Sequence, residues 1–173
     1  QAMQQNNLPT ALDHGFILTR QWRDSKRNHL NTKSDLELQM ELRFWVHTHN
    51  GPRLLIQGQQ EALFFVETKH AFKAKERLSA FAFRARDLDL KSFDQNTVTA
   101  FYFQSYKTMR AALKNLHRVN ITPLEADIKP TDRFLMERFI TGPISFQSIS
   151  GNSNYKIKPA SFNPSFTIAS FDI

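Results

Sequence analysis

A chain of 173 residues, 40% hydrophobic and 23% charged, has room for one large domain or two small ones around a real core. It carries no cysteine, which excludes disulfides and thiolate metal sites, and it shows neither an apolar run of about 18 residues nor a signal-peptide pattern, so no membrane partner is expected. The net charge of +7 and the pI near 9.9 favour polyanionic partners, nucleic acid among them, and a cytosolic setting suits the composition.

The polar start, residues 1–14, is expected to be a disordered tail, with Gln1 and Ala2 ahead of Met3 reading as a cloning remnant. "GFILTRQW", Gly15 to Trp22, reads as a strand. In "LELQMELRFWVH", Leu36 to His47, the residues Leu36, Leu38, Met40, Leu42, Phe44 and Val46 alternate with polar ones, which predicts a long strand with one buried face. Asn50-Gly51 supplies the positive φ of a tight hairpin turn, and "RLLIQ" returns. "EALFFVE", Glu61 to Glu67, adds a further strand. Four strands without a helix predict a small antiparallel β-barrel-like (OB-like) region over 15–67.

The pattern changes from residue 68. Lys69 to Leu78 is helix-compatible, and "AFAFRARDL" is a short strand with Arg84 and Arg86 on one face. Thr97 to Phe103 is β-branched and aromatic, a strand. Ser105 can cap the next helix, on which Tyr106, Met109, Leu113 and Leu116 form the core stripe. "VNITPLEADI" reads as an edge strand containing Pro123. Strand, helix and strand suggest a ferredoxin-like or RNA-recognition-like β-α-β region over 68–148. In "KPTDRFLMERFITG" Pro130 opens a helix and Gly142 lies just past its end. From 149 onward "YKIKP" and "TIASFDI" read as further strands. The fold class is α+β.

No spacing supplies a complete active site. His47 and His49 share a strand face but have no third ligand nearby, and no phosphate-cradling glycine loop is present. The basic residues are more informative. Lys107, Arg110, Lys114 and Arg118 line the helix face opposite Met109 and Leu113, and Lys129, Arg133 and Arg138 follow closely. Such clusters neutralise phosphates and release counterions without reading sequence; the plainer reading is the solvated side of an amphipathic helix. Tyr102, between Phe101 and Phe103, could present a ring for base stacking, against the alternative of core burial. Asp172 is a lone carboxylate at the tip of an apolar strand.

"GFILTRQWRD", "EADIKPTDRFLMERFITGP" and "FDI" together resemble the N-terminal part of bacterial family B DNA polymerases. The resemblance runs from Gly15 to Ile173, is strongest from Leu124 to Pro143, and fades through Lys26 to Lys91. It implies a polymerase N-terminal domain over 15–148 and, over 149–173, the first strands of a truncated ribonuclease H-like 3′–5′ exonuclease domain. Asp172 matches the first carboxylate of that domain's Asp-x-Glu motif and hence a metal ligand. Mg2+ or Mn2+ then belongs to the longer parent protein, with no cofactor in this chain. The parent is expected to be a DNA-directed DNA polymerase with proofreading, found in the bacterial cytoplasm at the nucleoid, while this piece alone is inactive.

The implied partners are single-stranded template DNA and the exonuclease and palm domains of the parent, with a sliding clamp left open through regions this chain lacks. Arg133 matches an arginine near the template path. The rival readings are a structural packing domain and a stand-alone single-strand-binding module.

Overall fold

The computed structural model describes residues 11–26, 38–149 and 153–161. Its elements are β1 (Asp13–Lys26), β2 (Leu38–Thr48), β3 (Gly51–Gln60), β4 (Ala62–Glu67), α1 (Thr68–Arg77), β5 (Arg84–Lys91), β6 (Thr97–Phe103), α2 (Tyr106–His117), α3 (Pro130–Glu137), β7 (Pro143–Ser148) and β8 (Tyr155–Pro159). The chain is mostly antiparallel sheet with a few helices, compatible with the expected α+β class. It divides into two compact units. One takes the described parts of 1–21, 43–57 and 133–173, the other those of 22–42 and 58–132.

A five-stranded sheet runs in the order β3-β2-β1-β7-β8. In β2 the predicted alternation is real: Met40, Leu42, Phe44 and Val46 are each at most 1% exposed. Gly15 lies where β1 comes close to β2. A Cβ there would sit 2.3 Å from Val46 Cγ1 and 2.9 Å from the His47 carbonyl oxygen, so only glycine fits. The hairpin turn falls where Asn50-Gly51 predicted it. Gly51 has φ +101°, and Thr48 Oγ1 donates to the Gly51 carbonyl at 2.8 Å while accepting from Asn50 N at 3.2 Å.

The expected barrel does not close. β4 leaves for another sheet, and Gln59, at φ 55°, turns the chain just before it does. β7, absent from the sequence reading, takes a place beside β1, with Gly15 opposite Ile144. The two outermost strands, β3 and β8, share no ladder. They are joined instead by side chains: Arg53 of β3 lies over the Tyr155 ring, with Cζ 5.7 Å from its centroid, and a buried glutamine makes the hydrogen bonds. Gln57, 4% exposed, donates from Nε2 to the Tyr155 carbonyl at 2.8 Å and accepts from Tyr155 N at 2.7 Å. A carboxamide thus does the work of a peptide group, and the sheet curls until its edges meet.

The second sheet has the order β4-β6-β5, with antiparallel registers throughout. Helices α1 and α2 pack on β4 and β6 and on each other. Phe64, Phe101 and Phe103 are fully buried, with the Phe64 ring 5.8 Å from Phe101 and 5.3 Å from Phe103. Ala74 and Leu78 at α1, and Met109, Ala112 and Leu116 on α2, are buried with them. The predicted strand over "VNITPLEADI" reduces to one antiparallel bridge, Leu124 to Phe65, held by hydrogen bonds of 2.7 and 3.1 Å. Pro123 has no N–H to extend it, and Asn120 and Glu125, at φ 57° and 55°, bend the chain on either side. The polar tail up to residue 10, Leu36, "TIASFDI" and Asp172 lie outside the described residues.

Candidate nucleic-acid interface

Register sorts the second sheet into two faces. Ala62, Phe64 and Val66 of β4 share one face with Phe101 and Phe103 of β6 and Ala85 of β5. These β4 and β6 residues are buried, and this is the face the helices cover. Leu63 and Phe65 stand on the other face with Tyr102 and, on β5, Arg84, Arg86 and Leu88. There only the small central residues Val98 and Ala100 are buried, Tyr102 is half-buried, and Arg84 and Arg86 are exposed. The strand therefore splits its rings: Phe101 and Phe103 build the core, while Tyr102 joins the basic face.

Arg84 lies over Tyr102, with Cζ 3.8 Å from the ring centroid. Its Nε and Nη2 donate to the two carboxylate oxygens of Glu61 at 3.1 and 2.6 Å. Those hydrogen bonds raise its pKa above the ordinary arginine value, against the opposing effect of desolvation. Arg84 is thus a braced cation that fixes the Tyr102 ring, with part of its charge answered by Glu61. Arg86, two residues along the same face, stands opposite Ala100. Beside these residues a cavity of about 360 Å³ is lined by Phe65, Leu90, Phe93, Val98 and Leu124, with Lys91 and Glu125 among its polar lining.

The other predicted residues fall elsewhere. Lys107, Arg110, Lys114 and Arg118 are all exposed on the outer side of α2, away from buried Met109, Leu113 and Leu116. The helix under them is fixed by two caps. Ser105 Oγ accepts from Thr108 N at 3.1 Å, and the Asp24 carboxylate accepts from Tyr106 N at 2.7 Å and Lys107 N at 2.9 Å. Trp22 packs edge-on to Tyr106 at 5.6 Å. "QWRD" therefore anchors a helix some eighty residues away, a role that no local signal discloses.

Lys129 is exposed just before α3, and Arg133 is half-buried on it. Arg138 closes the end of α3. Its Nη1 donates to the Phe134 carbonyl at 3.0 Å and its Cζ lies 3.5 Å above the Phe134 ring. Burial lowers its pKa, with Glu137 acting the other way. Among the described residues no cluster of three or more His, Asp or Glu could hold a metal ion, and no helix is long and apolar enough to cross a membrane.

No family model matches the chain. It is similar to DNA polymerase II of Escherichia coli (strain K12), at 32% identity over 164 residues. The match covers 92% of this chain and 20% of that protein, so the chain spans about a fifth of the relative's length. The resemblance first read from three short motifs thus extends over nearly the whole sequence.

Proposed function

We propose that the chain is the N-terminal region of a family B DNA-directed DNA polymerase with 3′–5′ proofreading, and that it helps to hold single-stranded template DNA. The carrying observation is 32% identity to DNA polymerase II across 92% of the chain. The sheet face of Tyr102, Arg84 and Arg86 supports the single-strand role, since it combines an oriented ring with cations. Two features support the finer fold reading. The curled order β3-β2-β1-β7-β8, with Gln57 joining its ends, suits an OB-like region. The order Leu124-β4-β6-β5, with a helix after β4 and after β6, suits a ferredoxin-like one.

On this reading polymerisation and proofreading belong to the longer protein, working at the nucleoid in the bacterial cytoplasm with Mg2+ or Mn2+. Asp172 would be one metal ligand there; of the 149–173 segment, β8 pairs with β7 in the five-stranded sheet, so the exonuclease domain would begin after it. The chain alone catalyses nothing. Arg133, Lys129 and Arg138 would lie toward the template, beside the exonuclease and palm domains.

The test is fluorescence anisotropy of labelled oligothymidylate on this chain at low and moderate salt. Binding that fades as salt rises, and that falls about fivefold or more in Tyr102→Ala, is expected, because a base stacked on an aromatic ring is worth roughly 1–3 kcal/mol. No binding at low salt would remove the single-strand role from the isolated region.

A second reading, a domain that mainly packs against the rest of its polypeptide, is favoured by Met136 and Phe139. They are 63% and 86% exposed at the end of α3, whose Phe134 and Leu135 are buried. If it holds, Met136→Ser and Phe139→Ser leave the thermal midpoint of this chain unchanged and lower that of the longer protein.

A further inference from the structure

The net charge of the chain has an address. Helix α1 carries Lys69, Lys73, Lys75 and Arg77, and α2 with its C-cap carries Lys107, Arg110, Lys114 and Arg118. Every one of these eight side chains is exposed, and Glu76 is the single acid on the two helices. The whole sequence has 23 lysines and arginines and 16 aspartates and glutamates, so fifteen of each sign remain elsewhere. By residue count the two helices hold a net +7 and the rest of the chain is neutral, while Glu67 pairs with Lys69 at 3.2 Å and Asp24 caps α2 beside Lys107. This helical layer is on the opposite side of the second sheet from Tyr102 and Arg86.

We propose that this outer face of α1 and α2 is a separate DNA-binding surface, one that takes the paired phosphate backbones of double-helical DNA without reading sequence. The proposal stands independently of the single-strand reading of the sheet face.

Geometry favours a duplex. Lys107, Arg110, Lys114 and Arg118, at i, i+3, i+7 and i+11, form one row of about 16 Å along α2. On α1, Lys69, Lys73 and Arg77, at i, i+4 and i+8, form a second row on a helix packed against the first, with Lys75 on the other flank of the helix. Two rows of cations suit two backbones flanking a groove about 6–12 Å wide, whereas a single strand offers only one row. A single strand needs several stacking platforms, and among the described residues these two helices offer one strongly exposed ring, Phe72. A membrane-surface helix would need a broad apolar edge. Here one ring interrupts the cations: Phe72, 74% exposed, three residues from both Lys69 and Lys75.

The test uses this chain with two probes, a labelled mixed-sequence duplex and labelled oligothymidylate, titrated between about 50 and 200 mM salt. The duplex is expected to bind with a steep salt slope. The triple variant Lys73→Gln, Arg110→Gln, Lys114→Gln should weaken duplex binding about tenfold at low salt and flatten the slope by about three, while leaving oligothymidylate binding within about twofold. Tyr102→Ala should do the reverse. Circular dichroism of each variant verifies the fold, and single Lys→Gln variants serve if the triple does not fold. The proposal is overturned if the duplex fails to bind at low salt, if the slope is unchanged, or if both probes weaken in parallel. Binding of polyglutamate without binding of duplex would overturn it in favour of an acidic protein partner.

Discussion

Asp24 shows how much one side chain can organise at a distance. Its carboxylate answers two of the first N–H groups of α2 from 82 and 83 residues away, leaving Ser105 to answer a third. Asp24→Ala should cost about 1–2 kcal/mol. Urea denaturation should show a lower midpoint at an unchanged slope, with Asp24→Asn between the two. Phe139 presents the opposite case. It closes α3 at φ 57°, a conformation suited to glycine, and its ring is 86% exposed. Phe139→Gly should therefore raise the stability of this chain by about 1 kcal/mol in the same assay. Of these residues only Ser105 was legible as a cap, because its acceptor role is local; the Asp24 bond spans more sequence than any motif can encode.

At the scale of elements, period-two alternation proved the dependable signal. It predicted the buried face of β2, and in β6 it separates Tyr102 from Phe101 and Phe103. It could not say which strands pair. β7 is six residues long, begins with a proline and follows a glycine, so nothing marked "PISFQS" as the neighbour of β1. The join between β3 and β8 was equally hidden, since Gln57 and Tyr155 are 98 residues apart. Gln57→Ala would strand a buried N–H and a C=O together and should cost about 2–4 kcal/mol. Gln57→Glu keeps the acceptor for Tyr155 N but sets a buried carboxylate against the Tyr155 carbonyl, and should cost at least as much at neutral pH. Exposed strand edges should also make the alanine variant more prone to aggregate, measurable by light scattering. Arg138, expected from sequence as a phosphate contact, also has its guanidinium engaged with the Phe134 carbonyl and ring.

For the whole molecule, composition raised the expectation of a polyanionic partner but not of where it would bind. The helical layer concentrates charge because α1 and α2 each have a buried stripe, which leaves lysine and arginine only the outward side. Replacing its eight cations with glutamine would leave 15 basic and 16 acidic residues, so retention on a cation exchanger at neutral pH should vanish while circular dichroism stays unchanged. Retention that survives would mean that some other surface dominates long-range attraction. The same substitutions leave the Tyr102 face untouched, which makes the two surfaces separable in one protein.

A ladder restrains a strand at many points; here one carboxamide makes the hydrogen bonds to β8, and the Arg53 guanidinium rests on the Tyr155 ring. The Tyr155 amide is shielded by Gln57, while β8 is held along its length by β7 from Ser148 to Ile144. Rotation about one side-chain torsion is enough to release it, without disturbing that pairing. Hydrogen–deuterium exchange should therefore find the Tyr155 N–H exchanging through an opening far cheaper than global unfolding. The seam behaves as a latch, and the strand beside it as a door that stays on its hinge when the latch is lifted.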